Sequence, residues 1–252
     1  MDKLKKRTQN ILTLENILVK RGDFKLTIKQ LSLHKKEIAC VVGPNGSGKT
    51  SLLLTVLGLL PHEGLCKVNG HLYDGSQVKI KSSIGFIPDD PELLFEELTA
   101  QEQWSVTASV LSQIKGTSEA ELKRHTTELA QSVSFNPPEN KLARDYSHGM
   151  RKKTQVVNAL IASPPVVVID ELRNGLDPMA ITQAETLIKK ERDSGAAVLA
   201  ATHDLWWAER FADYIYIILD GGIAAEGTVK QLLRPKERSL EEAFYRIVGA
   251  KK

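Results

Sequence analysis

The segment Gly43-Pro44-Asn45-Gly46-Ser47-Gly48-Lys49-Thr50 constrains this chain more than any other, because it satisfies every fixed position of G-x-x-x-x-G-K-[ST]. Its setting is the one the pattern needs. The apolar run Ile38-Ala39-Cys40-Val41-Val42 before it reads as a buried strand, and residues 51–57 after it (Ser-Leu-Leu-Leu-Thr-Val-Leu) read as a helix. Glycines lack Cβ atoms, so the backbone can wrap an anion closely and turn its N–H groups inward. The helix that starts at the end of the loop adds its positive dipole end. Lys49 would reach the β- and γ-phosphates, and the Thr50 hydroxyl would coordinate Mg²⁺. The stretch Gly43, Pro44, Asn45, Gly46, Ser47, Gly48, Lys49, Thr50 and Ser51 is therefore read as the contact surface for a nucleoside triphosphate.

Composition narrows the partners. The chain has 252 residues, enough for one sizeable core, and 34 Lys plus Arg against 31 Asp plus Glu give a formal charge of +3. So mild a balance, spread along the chain, argues against a dedicated nucleic-acid surface. The densest basic cluster is Lys3, Lys5, Lys6 and Arg7, read as a solvated tail with a membrane-surface role as the alternative. Cys40 and Cys66 are the only cysteines; they make no disulfide framework, and a reducing, cytosolic compartment is expected. No secretory leader pattern opens the sequence, and no apolar run approaches the roughly 20 residues that span a bilayer. Any membrane connection is expected to come through a partner.

Along the chain, Ile11–Lys20 and Phe24–Leu33 predict two strands joined by a turn at Lys20–Asp23. Residues 67–72 predict a short hairpin, and Ser83–Ile87 a strand stopped by Pro88. From Thr99 to about Ala130 the pattern is helical, with Thr99 and Glu102 placed as a capping box and Trp104, Val106, Val110 and Leu111 apolar. Residues 135–140 break it, and Met150–Ala162 is helical again. Val166–Ile169, Ala196–Ala201 and Tyr214–Leu219 follow as strands; the unbroken β-branched run of the first suits a parallel sheet. The alternation argues an α/β fold. Near the end, Ser239-x-x-Glu242 predicts another capping box before a helix with Leu240, Phe244, Ile247 and Val248 on one face.

Four further groups carry chemistry. Asp170 and Glu171 end the Val166–Ile169 strand, where ligands of α/β folds bind; Asp170 is placed for Mg²⁺ and Glu171 to polarise an attacking water. Ser147-His148-Gly149 opens a helix, so a hydroxyl and unpaired N–H groups could meet an anion, although alone the pattern is an ordinary N-cap. His203 follows a strand and could hydrogen-bond a phosphate oxygen. Arg21 and Phe24 flank the turn at Gly22, one a planar cation and the other a ring.

Taken in order, the phosphate loop, Ser147-His148-Gly149, Val166–Asp170, Glu171, Gly175-Leu176-Asp177 and His203 resemble the ATP-binding subunit of ABC transporters, over nearly the whole chain. The resemblance implies a phosphate-loop NTPase core with a mainly parallel sheet, an N-terminal antiparallel β subdomain and an inserted helical subdomain. It places the core at 11–98 and 163–230, the helical subdomain at 99–162 and a C-terminal helix at 231–252, all in one ATPase domain. It also implies ATP and Mg²⁺ as cofactors, a signature at Ser147, His148 and Gly149 reading the other subunit's γ-phosphate, a linking loop at Asp177 and a switch at His203. Partners would be a separate transmembrane permease subunit and a second ATPase subunit, identical or homologous, packed head-to-tail. The protein would sit in the cytoplasm against the inner face of the membrane, and Asp89–Glu92 with Leu93, Leu94 and Phe95 would receive the permease.

Departures from the family pattern are informative. Tyr146-Ser147-His148-Gly149-Met150 stands for Leu-Ser-Gly-Gly-Gln and resembles a variant of bacterial exporters; that and the C-terminal helix imply export. Asp89 stands for the usual Gln after Pro88, as a possible Mg²⁺ or water contact, and Leu172-Arg173 for the usual Pro-Thr or Pro-Ser. Arg21 stands where the resemblance implies an aromatic stacked on adenine; its guanidinium plane could stack there, and Phe24 is the nearest aromatic. The other reading is a soluble ATPase of the same type that drives assembly of an iron–sulfur cluster or another cofactor.

Overall fold

The computed structural model describes residues 9–249, so the basic cluster at Lys3, Lys5, Lys6 and Arg7 lies outside the described residues. Two compact units emerge: one runs to Gln77 and resumes at Ala197, the other is Val78–Ala196.

In the first unit, with strands and helices numbered along the chain, β1 (Asn10–Arg21) and β2 (Phe24–His34) form an antiparallel hairpin around Gly22-Asp23. The turn needs a left-handed residue, and Gly22 supplies it at φ 58°. β1 also pairs antiparallel with β4 (Glu63–Val68), which pairs with β5 (His71–Leu72). β3 (Ile38–Val42) is buried along its whole length and lies parallel between β8 (Ala197–Thr202) and β9 (Tyr214–Leu219). A strand with a neighbour on each side and both faces covered must be apolar throughout, which is why no alternation shows in its sequence. β10 (Gly222–Gly227), unmarked in the sequence because Gly and Ala dominate it, pairs antiparallel with β9 and touches β2 at a single register position. Cys40 and Cys66 are buried apart from any disulfide, and burial pushes the Cys66 thiol up to about 12.

Helices α1 (Lys49–Val56), α7 (Leu205–Phe211), α8 (Val229–Leu232) and α9 (Leu240–Gly249) complete this unit. The start of α9 departs from the expected capping box. Ser239 Oγ accepts from the Glu242 N–H at 3.3 Å, but the Glu242 carboxylate accepts from Arg238 N–H instead of closing on Ser239. Leu240 and Ala243 are buried, and the Leu240 N–H donates to the Glu209 carboxylate of α7 at 2.9 Å.

The second unit has a parallel pair, β6 (Ile84–Ile87) and β7 (Val166–Asp170), with helices α2 (Val78–Lys81), α3 (Ala100–Lys115), α4 (Glu119–Ser132), α5 (His148–Leu160) and α6 (Pro178–Ser194). The Thr99–Glu102 capping box forms in both directions at the start of α3. The helical stretch predicted as one run splits at Gly116, whose φ of 68° ends α3. Trp104, Phe135 and Tyr146 stack edge to face, at 6.0 Å and 6.4 Å, as the core between these helices.

Candidate functional site

In the first unit, three local facts shape the phosphate loop. Gly48 sits at φ 107° just before α1, and a Cβ there would strike the Phe24 ring at 2.9 Å. Gly43 passes so close to the Ile218 carbonyl that a Cβ would lie 2.3 Å from its oxygen. The Lys49 ammonium donates to the carbonyls of Gly43 (2.8 Å) and Pro44 (3.2 Å), which holds it at the loop it belongs to. Ser47 is buried, and its hydroxyl has no hydrogen-bond partner among the described residues. A glycine-rich loop that keeps an ammonium at its base and carries an unsatisfied buried hydroxyl fits a polyphosphate.

Beside the loop lies an open cleft of about 390 Å³ lined by Arg21, Phe24, Asn45, Gly46, Lys49 and Thr50, among others. Arg21 and Phe24 are cross-strand partners next to the hairpin turn, so their side chains share one sheet face. The register therefore puts both stacking candidates at the cleft together. His203 belongs to the same unit. Val42 of β3 pairs with Thr202 of β8, so Gly43 and His203 leave the same edge of two adjacent parallel strands. His203 is exposed, and Asp204 behind it caps α7 by accepting from the Trp207 N–H at 2.8 Å.

The second unit builds its residues the same way from a strand pair. Ile87 pairs with Ile169, so Pro88-Asp89 and Asp170-Glu171 leave one edge together. Asp170 is buried; Glu171 is half-buried with φ 47°, a left-handed conformation that costs a non-glycine residue energy. Asp89 accepts from the Asn174 side-chain amide at 2.6 Å. From α5, Gln155 donates to the Asp90 carbonyl at 2.8 Å, and Arg151 stands 3.9 Å from the Glu92 carboxylate. Lys152, also on α5, is wholly buried and donates to the carbonyls of Pro88 and, at 3.1 Å, Glu171. Burial lowers the Lys152 ammonium to about 8, and the carboxylates of Asp89, Asp170, Glu171 and Asp90 oppose that fall.

Ser147 N-caps α5, accepting from the Met150 N–H at 3.3 Å, and is exposed together with His148. Gly149 and His148 pack against Gly175: a Cβ on Gly149 would lie 3.3 Å from the Gly175 carbonyl oxygen. Asp177 N-caps α6, accepting from the Ala180 N–H at 2.9 Å. Tyr146 also has a physical account, because its buried hydroxyl accepts from the Ala100 N–H at 3.1 Å, one of the orphan donors of α3. Sequence reading missed Lys152 and Asn174. Lys152 did leave a trace, standing one turn before the buried Val156 on the apolar face of α5.

Among the described residues no cluster of three or more His, Cys, Asp or Glu side chains could cage a metal. Mg²⁺ needs no such cage, since it takes one or two protein oxygens and completes its shell with water and phosphate. The first unit offers an oxygen of that kind on Thr50, and the second unit, separately, on Asp170.

The family model for ABC transporters matches residues 26–174. The Bacillus subtilis ABC-type transporter ATP-binding protein EcsA is 29% identical over 220 residues, covering 86% of this chain and 87% of that protein. An uncharacterised Bacillus subtilis ABC transporter ATP-binding protein, YthP, is 30% identical over 226 residues, covering 88% and 89%. A solved structure described as the ATP-binding subunit of an ABC transporter superposes with a TM-score of 0.85 at 27% identity, over 94% of this chain and 99% of that one.

Proposed function

Starting from a chain that belongs to the ABC transporter ATP-binding family, and so from an ATP-binding ATPase, we propose that it powers export through separate membrane subunits. The observation that carries the coupling part is an apolar groove of about 500 Å³ within the second unit, lined by Phe86, Leu93, Leu94, Val110, Leu111 and Ile114, among others. Leu93 and Val110 of that lining are exposed, and Phe95 and Val106 are exposed elsewhere in the same unit. Exposed apolar side chains grouped at one groove mark a docking surface. Its occupant is an amphipathic segment of a transmembrane permease. Among the described residues no helix is long and apolar enough to cross a membrane. Docking on the permease would hold the protein at the inner face of the membrane. Export is supported by the Tyr-Ser-x-Gly-Met form of residues 146–150 and by α9.

The residues divide the chemistry. The loop amides and Lys49 hold the phosphates of ATP, and Arg21 or Phe24 stacks on the base. Thr50 and Asp170 each offer an oxygen to Mg²⁺, which when bound neutralises phosphate charge. Asp89, engaged by Asn174, is a candidate for the water beyond that ion. Glu171 orients the attacking water and accepts its proton, while His203 hydrogen-bonds the γ-phosphate. Ser147, His148 and Gly149 read the γ-phosphate held by a second subunit, identical or homologous, and Asp177 links the two. Residues 99–162 act as the helical subdomain that carries this signature.

Replacing Leu93 and Val110 together by Asp tests the docking surface, since both side chains are exposed and the change should leave the fold intact. The variant should lose co-purification with a polypeptide of several apolar spans from solubilised membranes, while its ATPase activity in isolation stays within about twofold of the parent. Retained co-purification would remove the groove from the coupling path.

A further inference from the structure

Lys152 is the largest fully buried side chain among the described residues, and its burial has no packing rationale. Met or Leu would fill the same volume without desolvating an ammonium. Both of its hydrogen bonds reach main-chain carbonyls, those of Pro88 and Glu171. Those two residues stand at the ends of two different strands, β6 and β7, so one cation ties both exits together.

The tie acts on a backbone that would otherwise relax. Glu171 is held at φ 47°, a conformation that persists only where its surroundings over-determine it. Its carbonyl belongs to the peptide that leads into Leu172, which is itself buried. A charge-assisted bond to that carbonyl fixes the peptide plane and with it the direction in which the Glu171 side chain leaves the strand. The Asn174 amide on Asp89 closes a second link between the same two exits at 2.6 Å. Lys152 lies on α5, the helix whose exposed first turn carries Ser147 and His148.

We propose that Lys152 is a positioning residue for Glu171: its buried ammonium holds the left-handed backbone that aims the carboxylate, and it does so from the helix that carries Ser147-His148-Gly149. The inference rests on Glu171 being the base. It differs from a structural role for Lys152 in what it demands of kinetics. A positioning residue acts only through the group it aims, so its removal lowers kcat, spares ATP binding and has nothing left to remove once Glu171 is gone.

The test is a double-substitution cycle on the full chain. Lys152→Met should lower kcat between about tenfold and a hundredfold with KM for ATP within about twofold, the size of effect a misplaced catalytic group gives. Lys152→Gln, shorter but still a donor, should fall between parent and Lys152→Met, and serves as the variant for the cycle should Lys152→Met fail to fold. In a Glu171→Gln background, either substitution should reduce the residual rate by less than about twofold. An equal loss in both backgrounds, or a loss confined to KM and ATP affinity, overturns the positioning role and leaves Glu171 as the base. Near-parental turnover by Glu171→Gln alone overturns the base assignment, and the role of Lys152 falls with it.

Discussion

Each unit ends a pair of parallel strands at loops that carry its chemistry, yet the two sets of loops are held by different means. In the first, β3 and β8 release Gly43 and His203, and the phosphate loop is shaped by its own backbone. Gly48 takes φ 107°, Gly43 slips past the Ile218 carbonyl, and Lys49 bonds carbonyls five and six residues before it. In the second, β6 and β7 release Asp89 and Glu171, and the holding groups come from far along the chain. Lys152 reaches Pro88 across 64 residues, Gln155 reaches Asp90 across 65 and Asn174 reaches Asp89 across 85. A loop that shapes itself can be recognised from eight consecutive residues. A loop shaped by side chains from distant parts of the chain cannot, because those side chains become neighbours only after folding.

The largest expected effect falls in the second unit and bears on turnover alone. Glu171→Gln keeps the shape and removes the proposed base, so kcat should fall by about 10²- to 10⁴-fold with ATP affinity retained, read by steady-state hydrolysis beside calorimetric binding. It should also leave an ATP-dependent dimer long-lived in size-exclusion chromatography. Parental turnover would strip this unit of its role in chemistry. In the first unit the contrast predicts a binding defect. Lys49→Ala removes a charged donor to the phosphates and should raise the ATP dissociation constant by roughly ten- to a hundredfold, from about 1.5–3 kcal/mol. Unchanged affinity by calorimetry would end the phosphate-loop reading.

The smallest effect sharpens the comparison within the first unit. Arg21 and Phe24 share a sheet face, so either can stack on the base. Stacking is worth about 0.5–2 kcal/mol, and Phe24→Ala should raise the ATP dissociation constant up to about thirtyfold, with GTP affected alike because a ring face does not read base edges. A large loss for Arg21→Ala with none for Phe24→Ala would assign the stack to Arg21.

The buried strands, the strand–loop–helix around residues 43–50, the Thr99 cap and the acidic end of β7 were all legible in the sequence, because each is a local pattern of apolar runs, glycines and caps. The C-terminal capping box was legible only by half, since the Arg238 N–H competes for the Glu242 carboxylate at a distance that spacing does not reveal. β10 was invisible, because a Gly- and Ala-rich strand is stabilised by the edge it pairs with and not by its own side chains.

The family and the fold class were set by the sequence alone, and so was the reading of residues 43–50 as a phosphate loop, since a strand, a glycine turn and a helix start in fixed order need only neighbours along the chain. Three matters waited on tertiary structure: that Arg21 and Phe24 share one face, that α3 leaves Val106 and Val110 exposed, and that Lys152 is buried between two strand exits. The first depends on the register of one hairpin turn, and the other two on which distant backbone arrives beside the residue. The cost or gain of burying a charge or an apolar side chain is decided by that arrival and not by the residue itself.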